Sequence, residues 1–178
     1  MTEHQNRPHR FRDSIQDVEA SHRLPSTPQT RSASYRLAFA DDEFLMREEL
    51  RPVRLQLELL KVQMALDEAQ VRSTVVLFGG ARIPAPERVT TARTEGLAAL
   101  SPFYDEARKF AQAVTRRSLD SQGQEWVICT GGGPGVMEAG NRGAHEAGGR
   151  SIGLNIVLPH EQAPNPYVSP EFSFNFHY

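Results

Sequence analysis

Apolar residues follow two different patterns along this chain. From Val53 to Val71 they recur at helical spacing, with Val53, Leu57, Leu60 and Met64 on one stripe and Leu55, Leu59, Val62 and Leu66 on its neighbour. That spacing predicts a helix whose wide apolar face packs against a sheet or a second subunit. Further along, periodicity gives way to short apolar runs at Thr74 to Phe78, Trp126 to Cys129 and Ser151 to Val157. Their length and composition fit strands of a parallel sheet, buried on both faces. Helical patterns separate them. Ser101 to Asp120 carries Phe103, Ala107, Phe110, Ala111 and Val114 on one face, with Ser101 placed to cap and Pro102 at the first helical position. A second helix is expected from about Pro134 to Ala147, ended by Gly148 and Gly149 and kept slim by Ala139, Gly140, Gly143 and Ala144. Strands alternating with helices in this way predict an α/β domain.

The flanking stretches read differently. Residues 1–34 are polar and rich in Arg, Ser, Thr and Pro, too poor in apolar surface to offset the entropy of ordering, and are expected to form a disordered tail. Its arginines, among them Arg7, Arg10 and Arg12, are diluted by Asp13, Asp17 and Glu19, as in a solvated tail. Residues 35–72 form a helical extension, with Asp41 or Asp42 as N-cap and an interruption at Pro52, which pushes Arg51 out of helical geometry. The α/β part is residues 73–178. Within it, Pro84 to Thr94 reads as a loop containing a short helical piece, and the proline-stiffened LPHEQAPNPYVSP segment reads as a pocket wall with His160, Glu161, Gln162 and Asn165 as polar candidates. Phe172, Phe174, Phe176 and Tyr178 then alternate as on one face of a strand, with no later segment to cover them.

Composition narrows the setting. At 178 residues and net charge −2, with ordinary apolar and charged fractions, nothing calls for nucleic acid or a membrane as partner. The single cysteine, Cys129, sits inside an apolar run, which excludes an internal disulfide and suits a reducing compartment. With no membrane-length apolar run and no signal-peptide pattern, the expected location is cytoplasmic.

The chemistry concentrates where the second strand meets its helix. Gly131, Gly132, Gly133, Pro134 and Gly135 make a turn so poor in side chains that backbone N–H groups can approach a ligand. A helix N-terminus adds unpaired donors and a positive dipole end, which together favour a phosphate. The spacing excludes the standard alternatives. From Gly131 the third glycine of G-x-G-x-x-G falls on Val136 and from Gly133 on Glu138, and no lysine follows for a Walker loop. The next strand offers Asn155, not an acid, to a ribose, so NAD is disfavoured and no cofactor is expected. The first strand also ends in small residues, Gly79, Gly80 and Ala81, followed by Arg82. In an open parallel sheet both turns share the ligand-binding edge.

Taken together, FGGARIP, TGGGPGVMEAGNRGAHEAGG and SIGLNIVLPHEQAPNP closely resemble the longer bacterial branch of the Lonely Guy family over about residues 35 to 178. The resemblance implies a Rossmann-like doubly wound parallel sheet, incomplete at its C-terminal side here, and a homodimer. It also implies hydrolysis of the N-glycosidic bond of a nucleoside 5′-monophosphate to a free base and ribose 5-phosphate. In plants and some microbes the base is a cytokinin. Carried over by position, Gly131, Gly132, Gly133, Gly135, Val136, Met137 and Glu138 match the phosphate loop and its helix, and Gly79 and Gly80 the first-strand loop, where many members have Gly-Ser. Arg82 and Asn155 complete the nucleotide-binding candidates. The family's Arg-Lys pair and Pro-Gly-Gly-x-Gly-Thr-x-x-Glu motif, which hold its catalytic arginine and glutamate, are not in this sequence, so a truncated product is expected, with no catalytic residue assigned. The alternative is a non-catalytic nucleotide- or molybdenum-cofactor-binding module on the same scaffold. Lysine decarboxylation is rejected, because Lys61 and Lys109 both lie in helical patterns away from the turns.

Overall fold

The computed structural model describes residues 12–159 and 163–177. Arg7, Arg10, His160, Glu161, Gln162 and Tyr178 lie outside the described residues. The chain divides into two compact units between Arg54 and Leu55.

In the first unit, the stretch expected as a disordered tail holds one helix, α1 (Ser14–Ser21), capped by Asp13, whose carboxylate accepts from the Gln16 amide at 2.8 Å; none of its residues is buried. Asp41 caps α2 (Asp42–Leu45) by accepting from the Phe44 amide at 3.3 Å. The break falls before Pro52 rather than at it. A 3-10 turn (Glu48–Leu50) leads directly into α3 (Arg51–Glu68), and Arg51 itself has helical angles, φ −49° and ψ −45°. Proline at the second helical position removes an N–H that would have had no partner there, so the helix runs on through it.

The second unit is built on a four-stranded parallel sheet, β1 (Thr74–Val76), β2 (Val127–Thr130), β3 (Ser151–Ile156) and β4 (Ser173–Phe176), in the order β1-β2-β3-β4. Helices α4 (Glu95–Ala99) and α5 (Ser101–Leu119) connect β1 to β2, and α6 (Val136–Glu146) connects β2 to β3. One sheet face, through Val75, Leu77 and Ile128, packs on Ala111 and Val114 of α5 and Ala144 of α6. The other face, through Val127, Cys129, Ile152, Phe172 and Phe174, packs on Val62, Ala65 and Leu66 of α3. Helices on both faces of a parallel sheet make this a Rossmann-like α/β fold. The four strands succeed one another in a single direction, so no reversal of winding lies among the described residues.

Several local expectations are corrected. Only β2 is buried throughout. β1 is an edge strand, and Phe78 beyond it is 86% exposed because no strand pairs on that side among the described residues. Trp126 precedes β2 with φ 63° and is half-exposed. On α5, Phe103 and Phe110 point outward, and the buried stripe is Ser101, Tyr104, Ala111, Thr115 and Ser118. Close helix contact explains the small residue at Ala111, because a Cβ at Gly143 of α6 would strike the Arg108 carbonyl and the Ala111 methyl, while Tyr104 packs with Ala85 and Ala139. Ser101 does not cap α5. Leu100 holds that position, and the buried Ser101 hydroxyl has no hydrogen-bond partner among the described residues. The aromatic strand does find cover, because Phe174 and Phe176 pack with α3 and β3. On α3 itself, the stripe through Leu57, Leu60 and Met64 is exposed, and Val62 and Leu66 of its neighbour carry the contact.

Candidate functional site

The carboxyl ends of β1 and β2 meet at the glycine turn. Helix α6 begins at Val136, two residues after Pro134, because Gly135 adopts φ 70° and ψ −131° and serves as N-cap. No other residue fits that position. A Cβ there would run into the Gly80 carbonyl and the Ala81 backbone, so the two turns touch main chain to main chain. The Val136 amide donates to the Gly80 carbonyl at 3.2 Å, which fixes Gly79 and Gly80 against the start of the helix. The amides of Gly133, Gly135, Met137 and Glu138 donate to no protein group among the described residues. These are the donors a bound anion can use.

Gly132 is different. Its φ is 70°, and its amide is already taken by the Thr130 hydroxyl at 2.9 Å. Behind it runs a buried polar chain. Thr130 Oγ1 donates to Asn141 Oδ1 at 2.7 Å, and Asn141 Nδ2 donates to the Ser151 hydroxyl at 3.0 Å. Asn165 closes the chain from the loop after β3: its Nδ2 lies 3.0 Å from the carbonyls of both Gly132 and Gly133 and 2.9 Å from Asn141 Oδ1. Its main-chain N–H also donates to Gly132 O at 2.8 Å. The turn is thus held from behind, with the Gly132 and Gly133 carbonyls bonded to Asn165.

The remaining candidates divide into packing and lining residues. Met137 folds its thioether under Gly131 and Gly133, Val136 sits against Gly79, and Asn155 fills the space a Cβ on Gly132 would take. Asn155 Nδ2 donates to the Phe174 carbonyl at 2.9 Å, so this side chain supports the turn and the neighbouring strand. Glu138 is buried, and its Oε1 accepts from Tyr104 at 2.8 Å and from Arg88. That carboxylate ties α5 and the 3-10 turn Pro86–Thr91 to the start of α6. Burial pushes the Tyr104 phenol up to about 12, with the Glu138 carboxylate adding to the effect. Arg82 lines a cavity of about 650 Å³ beside Pro134 and Gly135, together with Arg88, Thr91 and Arg93.

The helices behind the turn are cross-tied. Arg108 Nη2 and Arg142 Nε donate to Glu146 Oε1 at 2.7 and 3.0 Å, and Gln112 donates to its Oε2 at 2.8 Å. Burial raises the Glu146 carboxyl, but these bonds outweigh it and hold the group below its ordinary range. His145 is exposed and lies 5.9 Å from the Tyr167 ring. Among the described residues no group of His, Cys, Asp and Glu is arranged to hold a metal ion, and no helix is long and apolar enough to cross a membrane.

Residues 106–170 match the SLOG cluster4 family. The match supports a nucleotide-related, Rossmann-like module, and no curated protein matches the chain. The SLOG-like segment contains the glycine turn, Glu138, Asn141 and Asn165, whereas Gly79, Gly80, Arg82, Arg88 and Arg93 lie before it. Thr130 and Asn141 were detectable as polar residues inside otherwise small or apolar runs. Arg88 and Arg93 carried no such signal, because a loop arginine is ordinarily solvated.

Proposed function

We propose that this chain binds the phosphate of a nucleotide at the glycine turn, as the nucleotide-phosphate part of a nucleoside 5′-monophosphate phosphoribohydrolase that works as a homodimer. The observation carrying this reading is the set of free amides at Gly133, Gly135, Met137 and Glu138, at the positive end of α6 and beside an arginine-lined cavity. A phosphate there accepts from several donors that no protein group uses, and the rigid backing by Asn165 avoids an ordering cost on binding. The reaction would add water across the N-glycosidic bond, releasing a base, a cytokinin in the related enzymes, and ribose 5-phosphate.

One observation favours a second reading, a nucleotide- or molybdenum-cofactor-binding module without hydrolysis. Cleavage through an oxocarbenium-like state needs a carboxylate at the sugar. Glu138 is engaged by Arg88 and Tyr104, and no carboxylate lines the cavity among the described residues.

Ribose 5-phosphate tests the shared core of both readings, because it is common to every such substrate. Calorimetry should show that ribose 5-phosphate and nucleoside monophosphates bind and compete while unphosphorylated nucleosides do not. Equal binding of nucleoside and nucleotide would sink the phosphate assignment. Release of ribose 5-phosphate from bound monophosphate by this chain would exclude the binding-module reading.

A further inference from the structure

The cavity beside the turn is larger than one phosphate needs. At about 650 Å³ it falls in the range that encloses a whole small ligand. Its polar lining is one-sided, Arg82, Arg88 and Arg93 with the Thr91 hydroxyl beside apolar Ile83, Pro84, Leu158 and Pro159, and neither a carboxylate nor an aromatic ring lines it among the described residues. A base would look for a flat ring to stack on, and a ribose for a carboxylate to accept from its hydroxyls. Neither is offered. Arg88 is already matched by buried Glu138. Arg82 and Arg93 are exposed and make no ion pair among the described residues, so their charge faces the cavity uncompensated. Guanidinium groups present paired donors suited to phosphate oxygens.

We propose that Arg82 and Arg93 form a second anion subsite, so that the preferred ligand carries two linked phosphate groups, one on the glycine turn and the other between these two arginines. This rests on the reading of the turn as a phosphate site and goes with the non-hydrolytic binding-module reading, since a nucleoside monophosphate fills the turn alone. A nucleoside monophosphate occupies the turn alone, whereas a diphosphate spans turn and cavity and leaves its base outside the arginine-lined space.

Inorganic phosphate and pyrophosphate test this without any choice of base. Calorimetric titration of the whole chain at fixed ionic strength should give pyrophosphate affinity at least about tenfold above phosphate, the value of one charge-assisted hydrogen bond. In the double variant R82A/R93A, the preference should vanish, pyrophosphate and phosphate binding that variant with equal affinity. Arg116→Ala, in the last turn of α5, should keep the full preference and so control for overall charge. Equal affinities in the unaltered chain, or a preference that survives R82A/R93A, would overturn the second subsite alone. If neither anion binds, the phosphate reading of the turn falls and the subsite falls with it.

Discussion

At the scale of single residues, Gly135 and Tyr104 carry the sharpest consequences. Gly135→Ala places a methyl in a left-handed backbone position and against the Gly80 carbonyl, so it should cost at least about 2 kcal/mol in urea unfolding and abolish ribose 5-phosphate binding. A variant that keeps both stability and binding would refute the main-chain contact between the turns. Tyr104→Phe deletes one buried hydrogen bond to Glu138 and should cost about 1–2 kcal/mol. It should also change the alkaline limb of stability. The unfolded phenol ionises near 10 and the buried one near 12, so across that window the native state holds a proton the unfolded state has lost. Its contribution is therefore complete below pH 10 and falls as pH rises toward 12, a decline that Tyr104→Phe should reduce in pH-dependent unfolding.

At the scale of elements, the loop after β3 acts on the turn after β2 through Asn165. Asn165→Ala leaves the Gly132 and Gly133 carbonyls without their side-chain donor and should cost about 2–3 kcal/mol. If the turn needs this backing, ribose 5-phosphate affinity should fall even at temperatures where the variant remains fully folded. Unchanged affinity in the folded variant would show that the turn holds its shape unaided. The α5–α6 pair has its own pH signature. Glu146 is held below its ordinary range, so its bonds to Arg108, Arg142 and Gln112 are intact above that range and are lost as pH falls through the depressed value. Glu146→Gln should flatten the acid limb of the unfolding midpoint against pH.

At the scale of the whole molecule, Cys129 reports on the integrity of the sheet. It lies on β2, covered by α3 on its own face, and burial pushes its thiol up to about 11. A thiol reagent at pH 8 should therefore label it only through opening of the α3 face, with a rate that follows added urea. Rapid labelling without denaturant would mean that α3 does not stay seated on the sheet. The β1 side carries a different liability, since Val76 and Phe78 are exposed along an edge strand.

The amino-acid sequence alone determined the order of strands and helices, the glycine turn at the head of α6 and the burial of Cys129. Each of these depends on local spacing: continuous apolar runs for strands, small residues for a close helix, glycine and proline for a turn. Only the tertiary structure decided which apolar residues face inward. On α5 the buried positions are Tyr104, which packs with Ala85 and Ala139 and donates to Glu138, and Ala111, whose small side chain suits the close approach of Gly143, whereas Phe103 and Phe110 face out. The same holds for the site. Glu138 matches the start of the phosphate-loop helix by position, and its carboxylate is engaged by Tyr104, 34 residues earlier, and Arg88, 50 residues earlier. Asn165 reads as part of a pocket wall and Asn155 as a nucleotide-binding candidate, and both also support the turn, through bonds and packing that no spacing along the chain encodes. Sequence period fixes which face of an element is apolar, whereas the partner of each polar atom depends on distances between elements that are set only when the sheet closes against its helices.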